Sequence, residues 1–111
     1  MPRVRDPELL RRLHLEWRSC ALADDTCEWW RSLHHIHRHP RDDVRANLVM
    51  LCGDGVAGHH GRIEANDDEA RAQLGLYIAR HRPDTIAYIN EKLPNGRGWA
   101  WLEHRLFLPD T

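Results

Sequence analysis

Between Leu33 and Gly61 the chain reads "LHHIHRHPRDDVRANLVMLCGDGVAGHHG", a stretch that carries six of the nine histidines. Two runs, "RSLHHIH" (31–37) and "NLVMLC" (47–52), suit short strands. The polar, proline-containing segment between them is too long for a tight hairpin turn, so the expectation is two strands joined by a wide loop. "GDGVAGHHG" then has four glycines in nine positions, which regular structure tolerates poorly, and "RIEAND" after it takes up a helical spacing. A glycine-rich loop therefore delivers His59 and His60 at or near a helix start.

Helices flank this centre. "DPELLRRLHLEWR" (6–18) sets Leu9, Leu10, Leu13 and Trp17 at helical spacing after an Asp-Pro start that fits a cap and first turn. "SCALADDTCEWWRS" breaks that period with an Asp-Asp-Thr turn between two cysteines and reads as a knuckle. Downstream, "DDEARAQLGLYIARHR" has acidic residues in its first turn and basic ones in its last, as the helix dipole prefers, and Pro83 stops it. "DTIAYINEKL" is another short helix, and "NGRG" turns into "WAWLEHRLFLP", read as helical. A chain of 111 residues is the size of one domain. The expected fold class is α+β, a single domain over 1–111 with its core at about 18–66 and a helical extension at about 67–111. Trp29 and Trp30, with Trp99 and Trp101, are expected to pack as a small core, base stacking being the alternative.

With 30% charged residues and a net charge of −1, the chain does not coat nucleic acid by bulk charge, so any DNA contact must be a local patch. Of 16 basic side chains only Lys92 is lysine, and arginine's planar fork suits phosphate oxygens. No run approaches the roughly 18–20 apolar residues of a membrane span, and the N-terminus does not resemble a signal peptide. The expectation is a cytoplasmic protein without a membrane role, its three cysteines reduced or on metal.

Six residues separate Cys20 from Cys27, and six separate Cys52 from His59. Each pair spans a turn-rich loop, so two facing loops would offer Cys20, Cys27, Cys52 and His59 to one tetrahedral, structural Zn2+. Ordinary buried thiols are the competing reading. His34, His35 and His60 then remain. Adjacent strand residues point to opposite faces, so His34 and His35 have different jobs. His37 and His39 read as solvated loop residues.

"HHI" (34–36), "NLVMLC" and "GHHG" (58–61) together resemble the HNH nucleases, a family built on a two-stranded ribbon and one helix around a catalytic metal. The likeness covers about residues 18–66. "NLVMLCGDGVAGHHGRIEAN" is similar to small HNH proteins of actinobacterial phages, in which an "LCG.G..GCHG.IE" stretch closes the motif. The resemblance implies a zinc-stapled ββα-metal core in which His34 and His60 ligate a catalytic divalent ion and Glu64 joins or braces them. His35 would be the general base, and Asn47 would brace the wide loop. The working ion would be Mg2+ or Mn2+, with Ni2+ or Zn2+ acceptable to imidazole ligands. Arg38, Arg41, Arg45 and Arg62 would position the DNA backbone. Two departures stand out: "PRDDVR" replaces the glycine pair after "HHI..R", and His59 stands where the pattern has cysteine.

The function implied is hydrolysis of DNA phosphodiester bonds by an HNH endonuclease. Phage members assist genome packaging, which makes the large terminase subunit an expected partner and the host cytoplasm the expected location. The alternative is a zinc-stapled DNA-binding or adaptor module without cleavage.

Overall fold

The structure is a computed structural model that describes residues 3–38 and 41–92; His39, Trp99, Trp101 and the helix expected after "NGRG" lie outside the described residues. The described chain is α+β, with four α-helices and one two-stranded antiparallel sheet.

Helix α1 spans Pro7–Glu16. Asp6 caps it by accepting the Leu9 N–H at 3.0 Å, and proline in the first turn lacks only an N–H that would have no helical partner. The guanidinium of Arg31 closes the other end, donating to His14 O at 2.7 Å and Trp17 O at 3.1 Å.

Strand β1 (Arg31–His35) pairs with β2 (Leu48–Cys52), in a register from Arg31 opposite Cys52 to His35 opposite Leu48. All five residues of β2 are buried. That explains its unbroken apolar run, since a strand covered on both faces needs no alternation. Asn47 lies just outside it, in a 3-10 turn over Arg45–Asn47.

The glycine-rich loop packs backbone against backbone. Gly53 has φ +81°, and a Cβ there would lie 2.0 Å from Ala57 O; a Cβ on Gly61 would lie 2.4 Å from the carbonyl carbon of Val56. Only glycine permits this closeness, which sets helix α2 (Gly58–Glu64) directly against the end of β2.

Asp67 caps α3 (Asp68–His81) by accepting Ala70 N–H at 2.9 Å, and α4 (Pro83–Lys92) follows after Arg82. Ala70, Leu74 and Ile78 of α3 share one buried cluster with Cys20, Leu22, Val49, Leu51, Cys52 and Ile63. The helical extension thus completes the core of the ribbon, which a two-stranded sheet cannot form alone. Arg82 ties it down by donating to Leu48 O at 2.9 Å and Arg45 O at 2.8 Å, and its guanidinium lies 5.1 Å from the Trp17 ring.

The core role expected of Trp29 does not hold. Its side chain is 90% exposed, touching Trp30 edge-on at 5.5 Å between ring centres. The neighbouring knuckle is organised around its cysteines instead, and Cys20 and Cys52 occupy the core. No helix among the described residues is long and apolar enough to cross a membrane.

Candidate metal centres

Two groups of metal-ligating side chains lie around α2. The first is Cys20, Cys27, Cys52 and His59. Cys20 and Cys27 come from the knuckle, Cys52 from the end of β2, and His59 from the first turn of α2. Their sulfurs lie 3.6, 3.4 and 3.1 Å from one atom, His59 Nδ1.

An imidazole nitrogen makes one hydrogen bond in its ring plane, so three thiols around it exceed what hydrogen bonding can use. Tetrahedral bonds to zinc of about 2.3 Å for sulfur and about 2.0 Å for nitrogen put S···N edges at roughly 3.5 Å. The observed edges bracket that value, and the cluster can hold a metal such as zinc.

The thiols differ in readiness. Burial pushes Cys20 up to about 12 and also raises Cys27. Burial acts on Cys52 too, but backbone N–H groups of His59 and Glu28 donate to its sulfur and bring it down to about 7. In the metal-free chain Cys52 is therefore the first thiolate to form.

The second group is His34, His60 and Glu64, whose ligand atoms lie within 4.8 Å of one another. His34 is on β1; His60 and Glu64 are one turn apart on α2. Glu64 Oε1 is 3.2 Å from His34 Nδ1 and 3.5 Å from His60 Nε2. His34 Nδ1 is buried and has no hydrogen-bond partner among the described residues despite that approach. The His34 imidazole, acting against burial and aided by Arg38 and His60, lowers the Glu64 carboxyl to about 2.

Ser32 decides the state of His60. Its hydroxyl donates to Gly53 O at 2.7 Å, and a carbonyl can only accept. Ser32 Oγ, 2.5 Å from His60 Nδ1, must then accept that nitrogen's proton. The lone pair of Nε2 is left facing Glu64 Oε1. Burial, and then the neighbouring His34, lower the His60 pKa and hold it neutral. Two acceptors and a buried imidazole nitrogen meeting at one point are a donor set that could hold a cation.

His35 is not among these three ligands. It follows His34 in β1, so its side chain leaves the opposite face. Its Nε2 lies 2.8 Å from Asp43 Oδ1. Burial lowers its pKa, against the raising effect of Asp43. Asn47, fully buried, accepts His37 N–H at 2.7 Å and donates to His37 O at 2.9 Å and Asp42 O at 3.0 Å. One amide thereby ties together both limbs of the wide loop.

The four arginines divide. Arg38 pairs with Glu64 Oε2 at 3.0 Å, Arg62 with Asp67 at 3.2 Å, and Arg45 with both oxygens of Glu16, its guanidinium also 5.5 Å from the Trp17 ring. Arg41 is exposed and has no ion pair among the described residues.

Sequence reasoning missed Ser32 and Asp43. Ser32 had a local signal, since it stands two residues before His34 on the same face of a strand. Asp43 had none: its other carboxylate oxygen accepts Asp6 N–H at 2.9 Å, a partner 37 positions away. No protein-family model, curated protein or solved structure matches the chain.

Proposed function

We propose that the chain is a metal-dependent endonuclease that hydrolyses DNA phosphodiester bonds on a zinc-stapled ββα core made of β1, β2 and α2. The observation that carries this reading is the meeting of His34 Nδ1, His60 Nε2 and Glu64 Oε1 at one point, with Ser32 keeping the His60 lone pair turned inward.

In this reading His34, His60 and Glu64 hold a divalent ion, Mg2+ or Mn2+ foremost and Ni2+ or Zn2+ as substitutes. When bound, the ion stabilises charge on the phosphoryl group and on the departing oxygen. His35 acts as general base: its Nε2–H donates a hydrogen bond to Asp43, which leaves the Nδ1 lone pair to take a proton from water. Its lowered pKa keeps it neutral and able to do so near pH 7. Asn47 holds the loop that carries Asp43. Arg41, and Arg38 at the edge of Glu64, approach the phosphate backbone. Arg45 and Arg62 contribute less, being engaged by their own carboxylates. Cys20, Cys27, Cys52 and His59 bind the structural Zn2+. A role beside a phage terminase in the host cytoplasm rests on the family resemblance alone.

One observation favours the second reading, a zinc-stapled DNA-binding or adaptor module without cleavage. His35 leaves the face of β1 opposite His34 and is engaged by a buried aspartate. Supercoiled plasmid incubated with the protein and Mg2+, Mn2+ or Ni2+, beside His35→Ala and an EDTA control, separates the two. The nuclease reading expects ion-dependent nicking that His35→Ala abolishes. Plasmid bound without nicking in every ion favours the adaptor and sinks the nuclease. Equal nicking by the variant refutes His35 as the base and sinks the nuclease reading without supporting the adaptor.

A further inference from the structure

The knuckle turn between Cys20 and Cys27 holds a carboxylate that neither the motif spacing nor the ligand set explains. Asp24 Oδ1 accepts the Thr26 N–H at 2.8 Å and the Thr26 hydroxyl at 2.6 Å, closing the turn. Its other oxygen is left over. Asp24 Oδ2 lies 3.3 Å from His59 Nε2, on the side of the ring away from the three sulfurs, with Gln73 Nε2 at 3.5 Å.

We propose that Asp24 is the positioning residue of the zinc site, selecting the His59 tautomer that exposes the Nδ1 lone pair to the metal. The inference rests on the zinc reading of Cys20, Cys27, Cys52 and His59. A neutral imidazole carries one N–H, and a carboxylate can only accept. Asp24 therefore draws the proton to Nε2, and Nδ1 meets the sulfurs bare. The His59 ring is fully buried with Asp24 in place, so in the intact site the carboxylate, not bulk water, faces Nε2. Histidines that bind zinc through one nitrogen commonly give the other N–H to such a partner, which fixes ring orientation and raises ligand basicity. The consequence here is topological. The loop that supplies two thiolates also orients the ligand supplied by the other loop, so the two halves of the site are coupled before metal arrives.

Asp24→Asn separates this role from turn formation. Asparagine has one acceptor oxygen, which the Thr26 N–H and hydroxyl claim; its NH2 then faces His59 Nε2, donor against donor. The variant keeps the turn and loses the tautomer selection. Full-length protein loaded with one zinc per chain is titrated with a chromogenic chelator, comparing wild type, Asp24→Asn and Asp24→Ala, while 15N NMR reads the protonated nitrogen of His59. The expected result is a roughly 10- to 100-fold loss of zinc affinity in both variants, with wild-type His59 protonated at Nε2. Zinc affinity of Asp24→Asn within twofold of wild type would overturn the proposal and leave Asp24 a turn former. Failure of the wild-type chain to retain any zinc would instead sink the zinc reading, and the proposal with it.

Discussion

Ser32 Oγ accepts a proton from His60 Nδ1 at 2.5 Å while giving its own to Gly53 O at 2.7 Å. A strand residue thereby sets the tautomer of a helix residue, and with it the direction of the lone pair that faces Glu64 in the candidate cation site. Removing the hydroxyl frees His60 to protonate at either nitrogen. Ser32→Ala is expected to weaken Mn2+ binding at this centre by about tenfold, the lower end for loss of a supporting hydrogen bond. Ser32→Thr, which keeps the hydroxyl and suits a strand, should restore most of it. Calorimetric titration with Mn2+ on zinc-loaded protein provides the comparison; equal affinity in wild type and Ser32→Ala would refute the role.

Asn47 offers a test of the loop alone. Its buried amide makes three bonds, partly buried ones to His37 N and His37 O and a buried one to Asp42 O. Asn47→Ala removes all three and leaves the Asp42 carbonyl without its buried donor, at a cost of about 3 kcal/mol. Asn47→Asp is expected to be no better near neutral pH, because a carboxylate oxygen would face two carbonyls. Urea denaturation of the zinc-loaded protein measures both, and a loss below about 1 kcal/mol for Asn47→Ala would show that the loop holds without it.

These residues also show what could be read from the chain in advance. The clustering of the candidate ligands was legible because each pair lies on one local element: Cys20 and Cys27 flank a turn, and Cys52 and His59 bracket a glycine loop. His60 and Glu64 share a helix face. Asn47 was reached through a family resemblance, not through local spacing. Asp42 and Asp43 lie in the polar segment between the two strands, where no local pattern marks them out. In fact both are buried, and they accept the N–H groups of Val4 and Asp6 at 2.8 and 2.9 Å. Partners 38 and 37 positions apart leave no periodic trace, because the fold alone brings them together. Trp29 was misjudged for the opposite reason. Average tryptophan burial says nothing about a knuckle whose interior is taken by cysteine.

The metal-free protein should lose stability on acidification. Burial lowers His35 and His60, and the His34 imidazole leads the lowering of Glu64 to about 2. For Asp43 burial acts upward, but the Asp6 N–H and His35 outweigh it and lower the carboxyl. Each folded-state pKa lies below its unfolded value, so the unfolded chain binds more protons as pH falls. The histidine contribution is present above about pH 6.5 and fades as pH drops through the folded values. The Glu64 contribution fades between its ordinary value of 4.5 and about 2. Cys20, raised by burial to about 12, works the other way: its contribution is complete below pH 9.0 and is lost above it. Cys52, lowered to about 7, gives up its contribution between pH 9.0 and 7. Scanning calorimetry in EDTA should therefore show Tm highest near pH 9 and falling in three stages as pH drops, through the thiol, the histidines below about pH 6.5 and the carboxylates below 4.5. A flat or rising Tm from pH 6.5 to 4 would contradict the assignments.

Asp43 links the N-terminal segment to His35. One carboxylate oxygen accepts Asp6 N–H and the other meets His35 Nε2, with the side chain 4% exposed. If His35 is the general base, Asp43 acts through it by holding the proton on Nε2. Asp43→Asn retains the size of the side chain and one acceptor, but cannot serve both partners with oxygen. Plasmid cleavage is then expected to fall about 100-fold, the lower end of what a positioned base contributes. Affinity for Mn2+ should stay unchanged, since Asp43 touches none of the three ligands. A purely structural Asp43 predicts another pattern: lower Tm with cleavage per folded molecule preserved. Measuring cleavage rate, Mn2+ affinity and Tm on the same preparation distinguishes these outcomes. Preserved cleavage would confine Asp43 to fastening the N-terminus, whereas a loss of cleavage with Tm and Mn2+ affinity intact would tie that clamp to the reactivity of His35.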